Sequence, residues 1–322
     1  MGIAIPVIDL EPALKGGIVE RMRVAREIDD TCTQIGFFTI VGHGVQPALV
    51  RELRELSYAF FNLPLEEKRL AAPPDPSIPR GYRGLGFEAL AAGNDRRTPP
   101  DIKEYYHFGR ESWPDDPYYT QGEGRRYFIP NIWPSRPAGW RETARRYYLA
   151  MERLTETMMD LAALGLGLDE HFFRDKIDRH ITAMRINHYP AQTVSPEPGQ
   201  LRAGAHTDYG LLTILNGENT PGGLQVLTRG GQWVDVQTDP DAFVVNIGDL
   251  LMRWTNDRWV SNTHRVVNPP GDAAQQARLS IAFFHHPNYD AFIECVAPAG
   301  KAKYPPVRSG AYRDMKYQQT RV

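Results

Sequence analysis

His206-Thr207-Asp208 places an imidazole and a carboxylate two residues apart, at the end of a stretch that reads as extended. Side chains at i and i+2 of a strand share a face, so both could meet one metal ion from a rigid edge. A third ligand must then come from a distant strand, and His264, in Asn262-Thr263-His264-Arg265-Val266, is placed in sequence to supply it. Two histidines and one carboxylate on one face of an octahedron leave three positions open, which suits Fe(II) oxygen chemistry. The spacing alone is weak support, because His-x-Asp recurs by chance; its ordinary alternative is a surface histidine beside a turn aspartate. His43, His107, His171, His180, His188, His285 and His286 each read as structural or surface histidines.

A second constellation lies further on. Arg278 and Ser280 are two apart on a predicted strand, so both can face the same interior, and Ala282 and Phe284 continue that face as candidate pocket lining. An arginine offers a planar fork of donors to a carboxylate and stays charged when buried. Taken alone, Arg278 reads rather as half of a structural ion pair, and Tyr189 as a core tyrosine.

These residues need elements to hold them. The first half is helical in character: Ile18, Met22, Ala25, Ile28 and Cys32 recur at helical spacing over 18–35, and Val50, Leu53, Leu56 and Phe60 mark a second helix. A short buried strand over 37–41 lies between them, and a long helix is predicted over 140–166. From 71 to 133 the chain is rich in Pro, Gly and aromatics without periodicity, which predicts covering or binding loops. The second half reads as strands at 181–187, 224–227, 233–236, 242–247 and 278–284. Turn signals such as Pro221-Gly222-Gly223 and Pro269-Pro270-Gly271 punctuate them. Short strands so punctuated predict a sandwich or jelly roll. The expectation is an α+β fold. A helix-rich region over 1–175, with substrate-covering loops, packs on a catalytic jelly-roll core over 176–322 without a clean linker, and Tyr304 to Val322 closes over the mouth as a helix.

The whole-chain numbers exclude several classes. The chain has 322 residues and a formal net charge of −2, with no basic footprint for nucleic acid. No stretch approaches the roughly 20 apolar residues of a membrane span, and the first ten residues lack the apolar run of a signal peptide. The two cysteines, Cys32 and Cys295, make no disulfide framework and read as free thiols. A cytoplasmic protein with a small-molecule partner is the expectation.

In order along the chain, several short stretches resemble the isopenicillin N synthase-like branch of the Fe(II)/2-oxoglutarate-dependent dioxygenase family. They are Ile5-Pro6-Val7-Ile8-Asp9-Leu10, Gly36-Phe37-Phe38, Gly42-His43-Gly44-Val45, Asn187-His188-Tyr189-Pro190 and His206-Thr207-Asp208-Tyr209-Gly210. Gly222-Gly223-Leu224-Gln225-Val226, Asn246-Ile247-Gly248-Asp249, Ser261 to Val266 and Arg278-Leu279-Ser280 complete the set. The resemblance covers nearly the whole chain. It implies a double-stranded β-helix, a distorted jelly roll, with the metal inside one mouth. It implies His206, Asp208 and His264 as iron ligands, Arg278 and Ser280 on the distal carboxylate of 2-oxoglutarate, and Asn187 and Tyr189 against the same co-substrate. Fe(II), 2-oxoglutarate and O2 are the implied cofactor and co-substrates. The implied reaction oxidises a small metabolite, as in secondary metabolism, with release of succinate and CO2; hydroxylation leads, with desaturation or cyclisation as other outcomes. Isopenicillin N synthase and plant aminocyclopropane-carboxylate oxidase keep Arg-x-Ser without using 2-oxoglutarate. A same-fold iron oxidase is therefore the alternative, and a non-catalytic binding protein a further one. The intact Asp208 argues against halogenating variants. Substrate contact is expected from Arg83, Tyr106 and Phe108 of the aromatic segment, with Phe284 from the core.

Overall fold

Strands buried on both faces carry continuous apolar runs rather than a polar–apolar alternation, and most central strands of this chain read that way. The computed structural model describes residues 4–94, 99–296 and 300–320. Twelve strands build two main sheets: β1 (Val7–Asp9), β2 (Phe37–Val41), β3 (Gly81–Arg83), β4 (Glu104–Gly109), β5 (Ala183–Tyr189), β6 (Ala203–His206), β7 (Leu212–Asn216), β8 (Leu224–Leu227), β9 (Trp233–Asp235), β10 (Phe243–Ile247), β11 (His264–Val266) and β12 (Arg278–His285). The large sheet runs in the order β1-β2-β10-β7-β12-β5-β4-β3, and the small one β6-β11-β8-β9.

Residue parity along the strands of the large sheet separates two cores. Phe38, Ile40, Ile186, Ile214, Val245, Ile281 and Phe283 cluster with apolar residues of the helices Ile18–Gln34, Pro47–Phe61 and Trp140–Gly165. Their neighbours on the opposite face, Phe37, Tyr189, Leu215, Val244 and Ala282, cluster with Ala203, Leu224, Val226 and Val266 of the small sheet. Burying each large apolar side chain of this kind contributes about 1.5–3 kcal/mol. Two facing sheets with helices on one outer face form the expected jelly-roll core.

The structure departs from the expectation over 71–133. That segment is not only cover: it contributes β3 and β4, and all six residues of β4 are buried. β4 pairs with β5 from Glu104↔His188 to Gly109↔Ala183. The division at 175/176 is thus crossed by a hydrogen-bonded ladder, and β1 to β4 lie in the same sheet as β5, β7, β10 and β12. The C-terminal segment forms the helix Ser309–Thr320. Cys32 and Cys295 are both free. Among the described residues, no helix is long and apolar enough to cross a membrane.

Candidate metal and 2-oxoacid site

The small sheet carries the histidines. β6 and β11 are antiparallel neighbours with His264 directly opposite His206, and the two imidazole centroids lie 4.4 Å apart. β6 ends at His206, so Asp208 projects from just beyond the strand. Its Oδ1 is 4.0 Å from His206 Nε2 and 3.9 Å from His264 Nε2.

The surroundings fix which atoms point inward. His206 Nδ1 lies 2.7 Å from the Gly204 carbonyl and His264 Nδ1 3.1 Å from the Asn262 carbonyl. A carbonyl can only accept, so each Nδ1 carries the proton and each Nε2 offers a lone pair. Asp208 Oδ2 accepts from Thr213 Oγ1 at 2.6 Å and Asn246 Nδ2 at 2.8 Å, which leaves Oδ1 for the histidines' side. Burial, followed by the neighbouring His264, pushes the His206 pKa down to about 3. Burial alone would raise the Asp208 pKa, but His264, His206 and the two donors outweigh it and hold the carboxyl below its usual range. An imidazole pressed toward its neutral form at His206, beside an ionised Asp208, belongs to the donor set a divalent cation requires, and His264 presents its Nε2 to the same point.

Two glycines permit this arrangement. A Cβ on Gly210 would lie 2.3 Å from the His285 carbonyl oxygen, and one on Gly248 would lie 2.4 Å from that of Gly210. Their close approach lets the Asp249 amide donate to the Asp208 carbonyl at 2.7 Å and the Gly248 amide to that of Leu211 at 2.8 Å.

The large sheet carries the second constellation. In the β5–β12 ladder Arg278 stands opposite Tyr189, and Ser280 opposite Asn187. Directly opposed residues project to the same side, so the four share one interior patch. Arg278 is 1% exposed, and its Nε and Nη1 have no hydrogen-bond partner among the described residues; neither has Asn187 Oδ1. A buried charge left without a counter-charge costs about 3–5 kcal/mol, so the patch fits an anion. Behind it, Glu218 bonds Arg54 at 2.9 Å, the Tyr58 hydroxyl at 2.8 Å and the Leu279 amide at 2.7 Å, fixing the start of β12. The triad and the Arg278 patch line one cavity together with Leu90, Lys103, Arg185, Phe284 and Tyr317.

Of the four residues expected at the substrate, Phe284 faces this cavity. Arg83 lines an adjoining recess, where its Nη2 donates to the carbonyls of Pro76 at 2.8 Å and Ile78 at 2.7 Å. Tyr106 and Phe108 do not reach the cavity. They stand opposite Ile186 and Met184 on β5, both turned to the helix layer. There Tyr106 meets Trp140 at 4.7 Å and Phe108 meets Trp133 at 5.1 Å between ring centroids. The residues that β4 turns the other way are Tyr105 and His107, which line the recess. Sequence reasoning missed Glu88, Lys103, Arg185 and Tyr317 as lining residues. Arg185 was within reach of it, because it lies two residues before Asn187 on the same strand and therefore on the same face.

A jelly roll whose small sheet presents a His-x-Asp…His triad to an orphaned arginine on the large sheet defines a non-haem iron oxygenase that takes a 2-oxoacid. Residues 181–287 match the 2OG-Fe(II) oxygenase superfamily, and residues 5–136 match the family described as non-haem dioxygenase in morphine synthesis N-terminal. The 2-oxoglutarate-Fe(II) type oxidoreductase hxnY of Emericella nidulans is 36% identical, over 96% of this chain and 89% of the relative. A homoarginine-6-hydroxylase of Oryza sativa subsp. japonica is 32% identical over 96% and 95%. Among solved structures, a full-length Neurospora crassa protein crystallised in complex with alpha-KG superposes with a TM-score of 0.83 at 33% identity, covering 98% of this chain and 95% of that one. The chain belongs to the 2OG-Fe(II) oxygenase superfamily and is a 2-oxoglutarate-dependent dioxygenase of small molecules.

Proposed function

We propose that His206, Asp208 and His264 hold the Fe(II), that Arg278 and Ser280 take the distal carboxylate of 2-oxoglutarate, and that Asn187 and Tyr189 flank the same co-substrate. The reaction is hydroxylation of one C–H bond of a small metabolite with release of succinate and CO2. The orphaned guanidinium of Arg278, aimed into the cavity that holds the triad, carries this reading.

Iron supplies dioxygen activation when bound; the protein's own groups position and exclude. The Gly204 and Asn262 carbonyls hold the proton of both imidazoles at Nδ1 and turn Nε2 toward the metal position. Thr213 and Asn246 keep the Asp208 carboxylate from rotating. Leu90, Leu224, Val266 and Ala282 give the cavity apolar walls that limit water near the reacting centre.

Anaerobic addition of Fe(II) and 2-oxoglutarate tests the assignment. The chelate should give a weak visible absorption band, lost in His206→Ala and demanding at least tenfold more 2-oxoglutarate in Arg278→Gln. No band from iron-loaded wild-type protein, or an Arg278→Gln variant with wild-type affinity, would defeat it. Succinate formed in proportion to oxidised product separates this reading from an iron oxidase that uses no 2-oxoglutarate.

A further inference from the structure

The row of interior residues on β5 does not end at Asn187. Arg185 is next on the same face, opposite Ala282 of β12 and His107 of β4. Arg278 is level with Tyr189, so the backbone positions of the two arginines are four residues apart along the ladder, about 13 Å at a strand's usual rise, and their guanidiniums lie over different rings, Arg278 over Tyr189 and Arg185 over Tyr105. A five-carbon diacid with bonds of about 1.5 Å spans roughly half that distance. Arg185 therefore serves something other than the co-substrate held at Arg278.

Arg185 is held open on one side. Its Nη1 donates to both Glu88 oxygens, at 3.2 and 3.0 Å, and its Nε to His107 Nδ1 at 3.4 Å, while the guanidinium lies 4.1 Å from the centre of the Tyr105 ring. Nη2 has no hydrogen bond among the described residues, and the side chain lines both the main cavity and the recess. Since His107 Nδ1 accepts, its Nε2 carries the proton, and that atom is buried without a partner.

Arg313, on the C-terminal helix, is 5% exposed and has neither an ion pair nor a hydrogen bond among the described residues. Its guanidinium lies 5.6 Å from the Tyr127 ring centre and 4.9 Å from that of Tyr317, which itself lines the cavity and the recess. Burial and then the guanidiniums of Arg185, Arg80, Arg313 and Arg83 press the His107 pKa far down, so all four lie within electrostatic reach of one imidazole. The recess carboxylate, Glu88, is already shared with Lys103 at 2.8 Å, and Asp314, which lines a neighbouring pocket with Arg313, is taken by Arg126 at 2.7 Å and the Tyr127 hydroxyl at 3.1 Å. Buried donors without acceptors and an excess of positive charge are stable only against an anion.

We propose that the substrate is an organic anion, an apolar body ending in a carboxylate, whose charged end is taken by Arg185 with the His107 Nε2–H, while Arg313, behind Tyr317, adds the positive potential that holds it there. Leu90, Ala282 and Phe284 offer the apolar walls for the body. This rests on Arg278 being the anchor of 2-oxoglutarate.

A matched set tests it: 3-phenylpropionate, 3-phenylpropionamide and 3-phenylpropylamine, titrated calorimetrically into anaerobic protein saturated with Fe(II) and 2-oxoglutarate. The acid should bind at least tenfold more tightly than the amide. That preference should fall below threefold in Arg185→Gln and in Arg313→Gln, with the 2-oxoglutarate affinity of each within twofold of wild type. Arg313 holds no partner whose loss would unfold the chain, so its variant keeps the test alive if Arg185→Gln does not fold. Equal binding of acid and amide, no binding of either, preference for the amine, or a preference that survives in Arg313→Gln overturns the proposal. Failure of the underlying reading shows separately, as loss of the 2-oxoglutarate chelate band in wild-type protein.

Discussion

Asp208 divides its two oxygens between tasks: Oδ1 faces the histidines while Oδ2 is bound by Thr213 and Asn246. Removing those two donors frees the carboxylate to rotate and leaves it less well oriented. Thr213→Val or Asn246→Ala should weaken Fe(II) binding about 10–100-fold, measured by competition with a chelator; wild-type affinity in both would refute the assigned role. A pH effect follows from buried histidines beside the triad, His286 in the cavity wall, His107 in the recess and His285 behind them. Burial holds His107 and His285 well below the ordinary histidine pKa and His286 down to about 3. The unfolded chain therefore binds more protons than the folded one as pH falls below 6.5, for His286 down to about 3. Each such group adds about 1.4 kcal/mol of lost stability per pH unit as pH falls through that window. Denaturant titrations of metal-free protein from pH 7 to 4 should show this loss, with the slope reduced in His286→Gln. At this scale the sequence was most legible where spacing alone decides a face: His206 with Asp208, and Arg278 with Ser280. It passed over Arg185, which parity from Asn187 reaches, and Glu88 and Tyr317, whose relevance depends on which segments lie side by side.

Parity on β4 decides whether an aromatic ring serves substrate or stability. Tyr105 and His107 turn to the recess, whereas Tyr106 and Phe108 enter the helix-facing core. Phe108→Ala should therefore destabilise the fold by about 3–5 kcal/mol, seen in thermal or denaturant unfolding, while the 2-oxoglutarate affinity of the folded fraction stays near wild type. A substitution that changed only substrate KM would contradict this placement. The segment Glu104 to Gly109 could not be read correctly from sequence because both its faces are buried, so charged and aromatic residues follow one another without alternation. Strands with a clear pattern were plain: the apolar run 37–41 and the alternating 224–227 coincide with β2 and β8, and the helix expected over 140–166 is Trp140–Gly165. Helical periodicity and β-branched runs survive without knowledge of neighbours; register does not.

Across the whole molecule, the two chain halves are bound into one sheet and sealed by the chain's end. Lys316 of the C-terminal helix pairs with Asp249 Oδ2 at 2.8 Å, and Asp249 also accepts from Thr207 at 3.2 Å and Ser261 at 2.8 Å. The helix is thereby tied to the segment between His206 and Asp208, and it places Tyr317 in the cavity wall. Ending the chain after Arg308 should raise substrate KM at least tenfold and increase succinate formed per product, with 2-oxoglutarate affinity within a few-fold of wild type. Unchanged coupling between succinate and product would show that the helix is only a cover. Its existence was anticipated from the chain's end, but its ionic tether was not, because Asp249 and Lys316 are distant in sequence. The β5–β12 ladder has a final consequence, for descent rather than catalysis. A slip of one residue between these strands would turn every one of their cavity residues toward the helices at once, so the alignment as a whole is strongly held. Individual rungs need not be: if 185 and 284 face the substrate as proposed, a change there leaves 187, 189, 278 and 280 in register. On those assignments, the ladder would let a lineage change its diet one rung at a time and keep its oxidant.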